Sequence, residues 1–333
     1  MKLRNITLFA SLAIMFAAFL WAFDGVVLTP WVQNLGLSDV PTFVFMLHIT
    51  ASVFLTYFLI KKWNELKNLQ KPDWLAFVLT AIFGGALGTM AIVAAILKVY
   101  SAGMNISVVL LLQKIQPVFA ILLALLMLKE KPRKIFYWLA VLSLIGSYLL
   151  TFGFARPDLS AQGMLIPALL AILASFSFGS STVFSKKAIT KVSHGMGTAL
   201  RFFLTTLIML IVITVISLLN RGGINTTYAG FSGFNALNGN LIGAFIVIAL
   251  TTGGTAIFIY YWGLKRVQAT RSTILELMFP VSAVVLEYLI HGKVLNFGQW
   301  IGAVIVVVSI YFIVRPKNSL VTNGAIPTKD QQI

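Results

Sequence analysis

Seven ionisable side chains fall inside long apolar stretches of this chain: Asp24, His48, Lys114, Arg201, Arg271, Glu276 and Glu287. Such a group near the centre of a membrane helix costs about 2.5–3.5 kcal/mol on the insertion scale. It is kept where it is paired, faces a cavity or reaches the nearer end. Lys114 lies about eleven residues into its stretch, too deep to reach water at about 1.5 Å of rise per residue. Gln113 and Gln116 flank it, and Pro117 frees a backbone carbonyl nearby. An ammonium there offers a site for substrate or counter-ion. The competing reading is a buried structural hydrogen-bond network.

Asp24 and His48 fall at one level, in the outer parts of the first and second stretches. They read either as a protonatable pair for proton coupling, since imidazole titrates near neutrality, or as an interfacial cap. Glu276 and Arg201 share a depth near the other side, about 9 Å from the end by helical rise. They suit a structural ion pair or a substrate contact. Trp21, Tyr260, Tyr261 and Trp262 supply aromatic walls. The substrate-binding candidates are therefore Trp21, Asp24, His48, Gln113, Lys114, Gln116, Arg201, Tyr260 and Glu276. Arg271 reads as snorkelling to the surface, Glu287 as interfacial, and Asn105 as too near the outer end to weigh heavily.

Enzyme chemistry finds little footing. The chain has no cysteine, which removes thiol catalysis and cysteine-ligated metals. His48, His194 and His291 are scattered and form no metal-ligand spacing. Gly230-Phe231-Ser232-Gly233 matches the short string of intramembrane serine proteases, but it sits in a polar loop without a partner His. No phosphate-binding loop appears, so transport would run on a gradient. No cofactor is expected.

These residues are carried by ten apolar runs, at about 7–29, 41–60, 74–97, 103–128, 135–154, 163–185, 196–219, 241–264, 270–290 and 297–314. Hydrophobic residues make up 59% of the 333 and charged residues 10%; a soluble domain carries roughly 45–50% and 25%. A bilayer core needs about 20 apolar residues per helix, and backbone in lipid must bond internally. The runs are therefore transmembrane helices. The first is too long for a signal-peptide core. The tail 315–333 is polar and expected to be disordered and cytoplasmic.

The formal charge of +16 reflects loops, not nucleic-acid binding. Eighteen Lys and Arg fall on the side of the termini, against Lys98, Arg156, Arg221 and Lys293 on the other. This places both termini in the cytoplasm of a multi-pass protein of the cytoplasmic (inner) membrane. The loop from about Asn220 to Asn240, on the opposite side, reads as a plain connector or a flexible lid. Gly84-x-x-x-Gly88 and Gly298-x-x-x-Gly302 permit close helix packing.

The two halves look alike. Gln116-Pro117-Val118-Phe119-Ala120 leads to Lys129-Glu130-Lys131, and Phe279-Pro280-Val281-Ser282-Ala283 leads at the same distance to His291-Gly292-Lys293. Trp138 and Trp300 follow. Leu97-Lys98-Val99 parallels Leu264-Lys265-Arg266-Val267, and Leu47-His48-Ile49 parallels Leu200-Arg201-Phe202. Repeats of five helices, an odd number, must be inverted relative to each other, a transporter signature. These paired motifs resemble the EamA repeats of the drug/metabolite transporter superfamily, over roughly 8–154 and 163–314. His48 and His291-Gly292-Lys293 depart from the usual pattern. The resemblance implies ten helices, a cavity lined by the first, third, fourth, sixth, eighth and ninth, and a permease or exporter of a small metabolite such as an amino acid.

The reading is thus an all-α membrane protein of ten helices in two inverted repeats: residues 1–154, residues 163–314, then the tail. Its partners are a small-molecule substrate and the bilayer, with a homodimer left open. The alternative is a membrane enzyme acting on a lipid or isoprenoid.

Overall fold

The computed structural model describes residues 2–102, 107–157, 163–292 and 294–314. Ten helices cross the molecule: α1 (Asn5–Asn34), α2 (Val40–Lys61), α3 (Lys71–Val99), α4 (Val108–Met127), α5 (Lys134–Phe152), α6 (Leu165–Ala188), α7 (His194–Arg221), α8 (Gly239–Arg266), α9 (Ala269–Ile290) and α10 (Phe297–Val314). No strand occurs among the described residues. The tail and Asn105 lie outside them.

Among the described residues, five helices are interrupted. α4 breaks between Gln113 and Gln116, and α9 between Leu275 and Met278. Each break lies just ahead of a proline, Pro117 or Pro280, which lacks an N–H and crowds the preceding turn. The chain tightens there: Ile115 N–H bonds the Leu112 carbonyl and Leu277 N–H the Ile274 carbonyl, three residues back. Both helices also end alike, on left-handed residues at matched places: Lys129 (φ 53°) and Gly292 (φ 65°).

The other three interruptions are π-turns at Asp24–Leu28, Ala81–Leu87 and Ala249–Gly253, within α1, α3 and α8. The first explains why α1 continues to Asn34 and not to about 29. Pro30 has no N–H to donate into the helix. The wider turn before it, closed by Thr29 N–H on the Asp24 carbonyl, carries the helix past the ring.

The packing has an exchange symmetry. α5 lies on α10, and α2 on α7. α1 packs on α8 and α9 as α6 packs on α3 and α4. Replacing each helix by the one five along returns the same pairs. α5 and α10 approach backbone to backbone: a Cβ on Gly302 would overlap the Leu150 main chain.

Cross-ties gather at the end of the bundle that holds the start of α1 and the end of α10. Buried Glu130 accepts the N–H groups of Ala269 (2.8 Å) and Thr270 (3.0 Å) and the Thr270 hydroxyl (2.7 Å), capping the start of α9. The Lys186 ammonium donates to the carbonyls of Leu264, Lys265 and Val267 at the end of α8. Arg271 donates to the Ile313 carbonyl, so it ties α9 to α10 where snorkelling was expected. At the other end, the loop after α7 is a packed connector. Asp39 accepts from the Ala229 N–H, and Ser217 from the Phe231 N–H. The Gly230–Gly233 string forms part of a 3-10 turn there.

Glu130→Ala removes the acceptor from two buried N–H groups and is expected to cost about 2 kcal/mol. Thermal unfolding of the detergent-purified protein measures this; an unchanged midpoint would mean that the cap contributes nothing.

Candidate functional site

A cavity of about 530 Å³ occupies the centre of the bundle. The five interruptions surround it because each leaves polar groups that lipid would not satisfy. All nine residues singled out from the sequence line it. So do residues of α2 and α7 (Phe43, Leu47 and His48; Arg201 and Phe202), which widens the expected set of six helices to eight. α5 and α10 contribute none.

Glu276 sits at the break in α9. Its carboxylate accepts from Tyr260 OH (2.7 Å), Gln116 Nε2 (2.8 Å) and Ser272 Oγ (3.3 Å). The Gln116 bond joins the two broken helices at their breaks. Tyr260 also reaches Thr182 Oγ1 at 3.4 Å, and the Trp21 ring packs on it with centroids 5.3 Å apart. Lys114 lies at the other break. Its Nζ sits 3.3 Å over the Phe279 ring centroid and donates to Gln113 Oε1 at 3.4 Å. Glu276 lines the same cavity, yet the described salt bridges, Lys62–Glu65 and Lys191–Asp73, do not include the two.

Asp24 opens the π-turn of α1. It accepts from Thr29 Oγ1 (3.3 Å) and from Thr252 Oγ1 (3.0 Å), in the π-turn of α8. His48 Nδ1 lies 2.7 Å from the Val44 carbonyl. A carbonyl only accepts, so the proton is on Nδ1. The expected Asp24–His48 pair is absent: each has its own partners. The expected Arg201–Glu276 pair is absent too. Arg201, 9% exposed, donates to the Gly84 carbonyl in the α3 π-turn (3.0 Å) and to Tyr261 OH (3.4 Å). Tyr261 is fully buried behind the wall, where it also meets Ser185 Oγ at 2.8 Å.

Several lining groups carried no sequence signal. Thr29, Thr182, Thr252 and Phe279 are ordinary residues in apolar runs. Glu287 was set aside as interfacial, but it lines the cavity. Gly84 was read as a packing residue and does pack: a Cβ there would overlap Ser181. It also presents its carbonyl to Arg201.

A match to the family model of the EamA-like transporter family covers residues 8–152 and 165–315. The chain belongs to the EamA-like transporter family. It is a transporter, and the lipid- or isoprenoid-enzyme alternative falls. It is 41% identical over 303 residues to riboflavin transporter ImpX of Fusobacterium nucleatum subsp. nucleatum, covering 90% of this chain and 95% of that one. It is 23% identical over 253 residues to the uncharacterized transporter sll1164 of Synechocystis sp., covering 73% and 66%. A crystal structure of another protein, 15% identical, shares the fold with a TM-score of 0.66 over 91% of this chain and 96% of that one.

The absence of native cysteine makes accessibility easy to read. Single cysteines at Gln113, Thr252 and Glu287 are expected to react with small charged thiol reagents. Those at Val141 and Val304, on lipid-facing surfaces, are expected not to. The opposite pattern would put the water-accessible path elsewhere.

Proposed function

We propose that this protein is a secondary transporter that carries riboflavin, or a flavin very like it, across the cytoplasmic membrane by alternating access. The observation that carries the reading is the 41% identity, along nearly the whole length of both chains, to a riboflavin transporter. The cavity's chemistry supports it. Trp21, Tyr260 and Phe279 contribute aromatic rings to the lining, which suits a planar ligand, and amide, hydroxyl and carboxylate groups lie among them. The volume of about 530 Å³ falls within the usual range for a ligand of drug size, about 300–1,000 Å³. An amino acid, the earlier expectation, would leave much of this aromatic wall uncovered.

In this reading residues 1–154 and 163–314 are inverted repeats, and exchanging their conformations moves the opening from one side to the other. Both termini are cytoplasmic. The cavity extends among Thr29, Pro30, Ile96 and Glu287, near the far ends of their helices, while the Glu130 and Lys186 ties close the end of the termini. This is then the outward-facing state. With no nucleotide-binding loop, a gradient drives the cycle.

Purified protein in liposomes is expected to equilibrate labelled riboflavin without nucleotide. Lys114→Met is expected to lower the rate at least about tenfold, because it removes a mid-membrane donor that a bound substrate would accept from. Lys114→Arg is expected to recover little, since a guanidinium differs in shape. Wild-type liposomes that ignore riboflavin but move amino acids would overturn the reading, and full activity in Lys114→Met would remove that residue from the site. For topology, a reporter fused within 220–240 is expected to read as external.

A further inference from the structure

The cavity has two chemically distinct zones. Around the breaks in α4 and α9, the aromatic rings of Trp21, Tyr260 and Phe279 line the cavity together with the polar groups of Lys114, Glu276 and Gln116. One helical turn from Trp21, Asp24 gathers the hydroxyls of Thr29 and Thr252. Thr252 and Tyr260 lie eight residues apart on α8, about 12 Å by helical rise. The lining therefore fits an elongated substrate with a flat end in the first zone and a hydroxylated end in the second.

The first zone holds an opposed pair that does not close. Glu276 is fixed by three hydrogen bonds. Lys114 rests on the Phe279 ring with one long bond to Gln113. The two line one cavity but form no salt bridge, as described above. A carboxylate has about four lone-pair sites and an ammonium three donors. Glu276 can therefore accept one more hydrogen, and Lys114 can donate at least one more. Gln116 Nε2 carries two hydrogens and spends one on Glu276. Lys114, Glu276 and Gln116 thus present donor, acceptor, donor. That order complements the imide edge of a flavin ring, which presents carbonyl, N–H, carbonyl. An uncharged imide between ammonium and carboxylate satisfies both without a salt bridge.

Resting on the riboflavin reading, we propose that Lys114, Glu276 and Gln116 recognise the imide edge of the ring, while Asp24 with Thr29 and Thr252 holds the ribityl hydroxyls. Glu276 is then the residue that determines specificity for the N–H. The orientation follows from the two zones: ring toward the end of the termini, polyol toward the cavity mouth.

The test is inhibition of labelled riboflavin uptake into proteoliposomes by unlabelled riboflavin, 3-methylriboflavin and lumiflavin. The second replaces the imide N–H with N–CH₃; the third lacks the ribityl chain. In the wild type, each analogue is expected to compete at least about tenfold more weakly than riboflavin, as for a lost hydrogen bond in a site built around it. Glu276→Ala is expected to bring riboflavin and 3-methylriboflavin within about threefold of each other while keeping the preference over lumiflavin. Asp24→Ala is expected to do the reverse. If Glu276→Ala does not fold, the wild-type series and Asp24→Ala still decide. Riboflavin uptake with equal competition by 3-methylriboflavin, or the two variants exchanging effects, would overturn this assignment and leave the functional reading standing. Wild-type vesicles that take up no riboflavin would overturn the functional reading itself.

Discussion

Inside hydrocarbon, every backbone N–H and C=O must find its partner within the protein. The whole centre of this molecule follows from that constraint. Interrupting a helix in mid-membrane frees polar groups, and five helices are interrupted. Such groups are stable only where they face one another or water. The interruptions therefore converge, and the space between them is the cavity. Arg201 reaches the Gly84 carbonyl and Thr205 the Ala81 carbonyl of the same π-turn; Thr252, in the π-turn of α8, reaches Asp24 at the start of the π-turn of α1. The uninterrupted α5 and α10 have no such groups to hide, and they pack on each other outside the cavity wall.

The two halves repeat in backbone more closely than in side chain. Pro117 and Pro280 break their helices alike, and left-handed turns end them alike. Yet Gln113 stands where the other half has Glu276, and His48 where it has Arg201. Arg201 fastens α7 to α3, whereas His48 bonds within its own helix. Glu130 caps α9, while its counterpart in sequence is Lys293. A symmetric scaffold with asymmetric fastening gives a cavity with different chemistry at its two ends. A substrate with unlike ends can use that difference.

Much of this was legible in the sequence. The ten spans and the paired proline helices could be read from hydropathy and spacing, and depth singled out ionisable residues that line the cavity, because an ionisable group in lipid advertises its own cost. Partnerships were not legible. Arg201 and Glu276 share a depth, but depth does not fix which way each faces. The carbonyls that Arg201 and Thr205 engage exist only once a π-turn has formed, and no residue type marks such a turn. Thr252 and Phe279 were missed for the opposite reason: each is common in apolar helices, and only the fold shows that it lines the cavity. The end of the first span was placed about five residues early, at about 29, where α1 runs to Asn34. A proline stops a helix unless the turn before it widens, as it does at Asp24–Leu28.

A structure determined with riboflavin bound tests the central claim most directly. The account predicts the flavin ring between Trp21, Tyr260 and Phe279, at the level where α4 and α9 break. Riboflavin found outside that cavity, on a lipid-facing groove or at the molecular surface, in protein shown to transport it, would contradict the account.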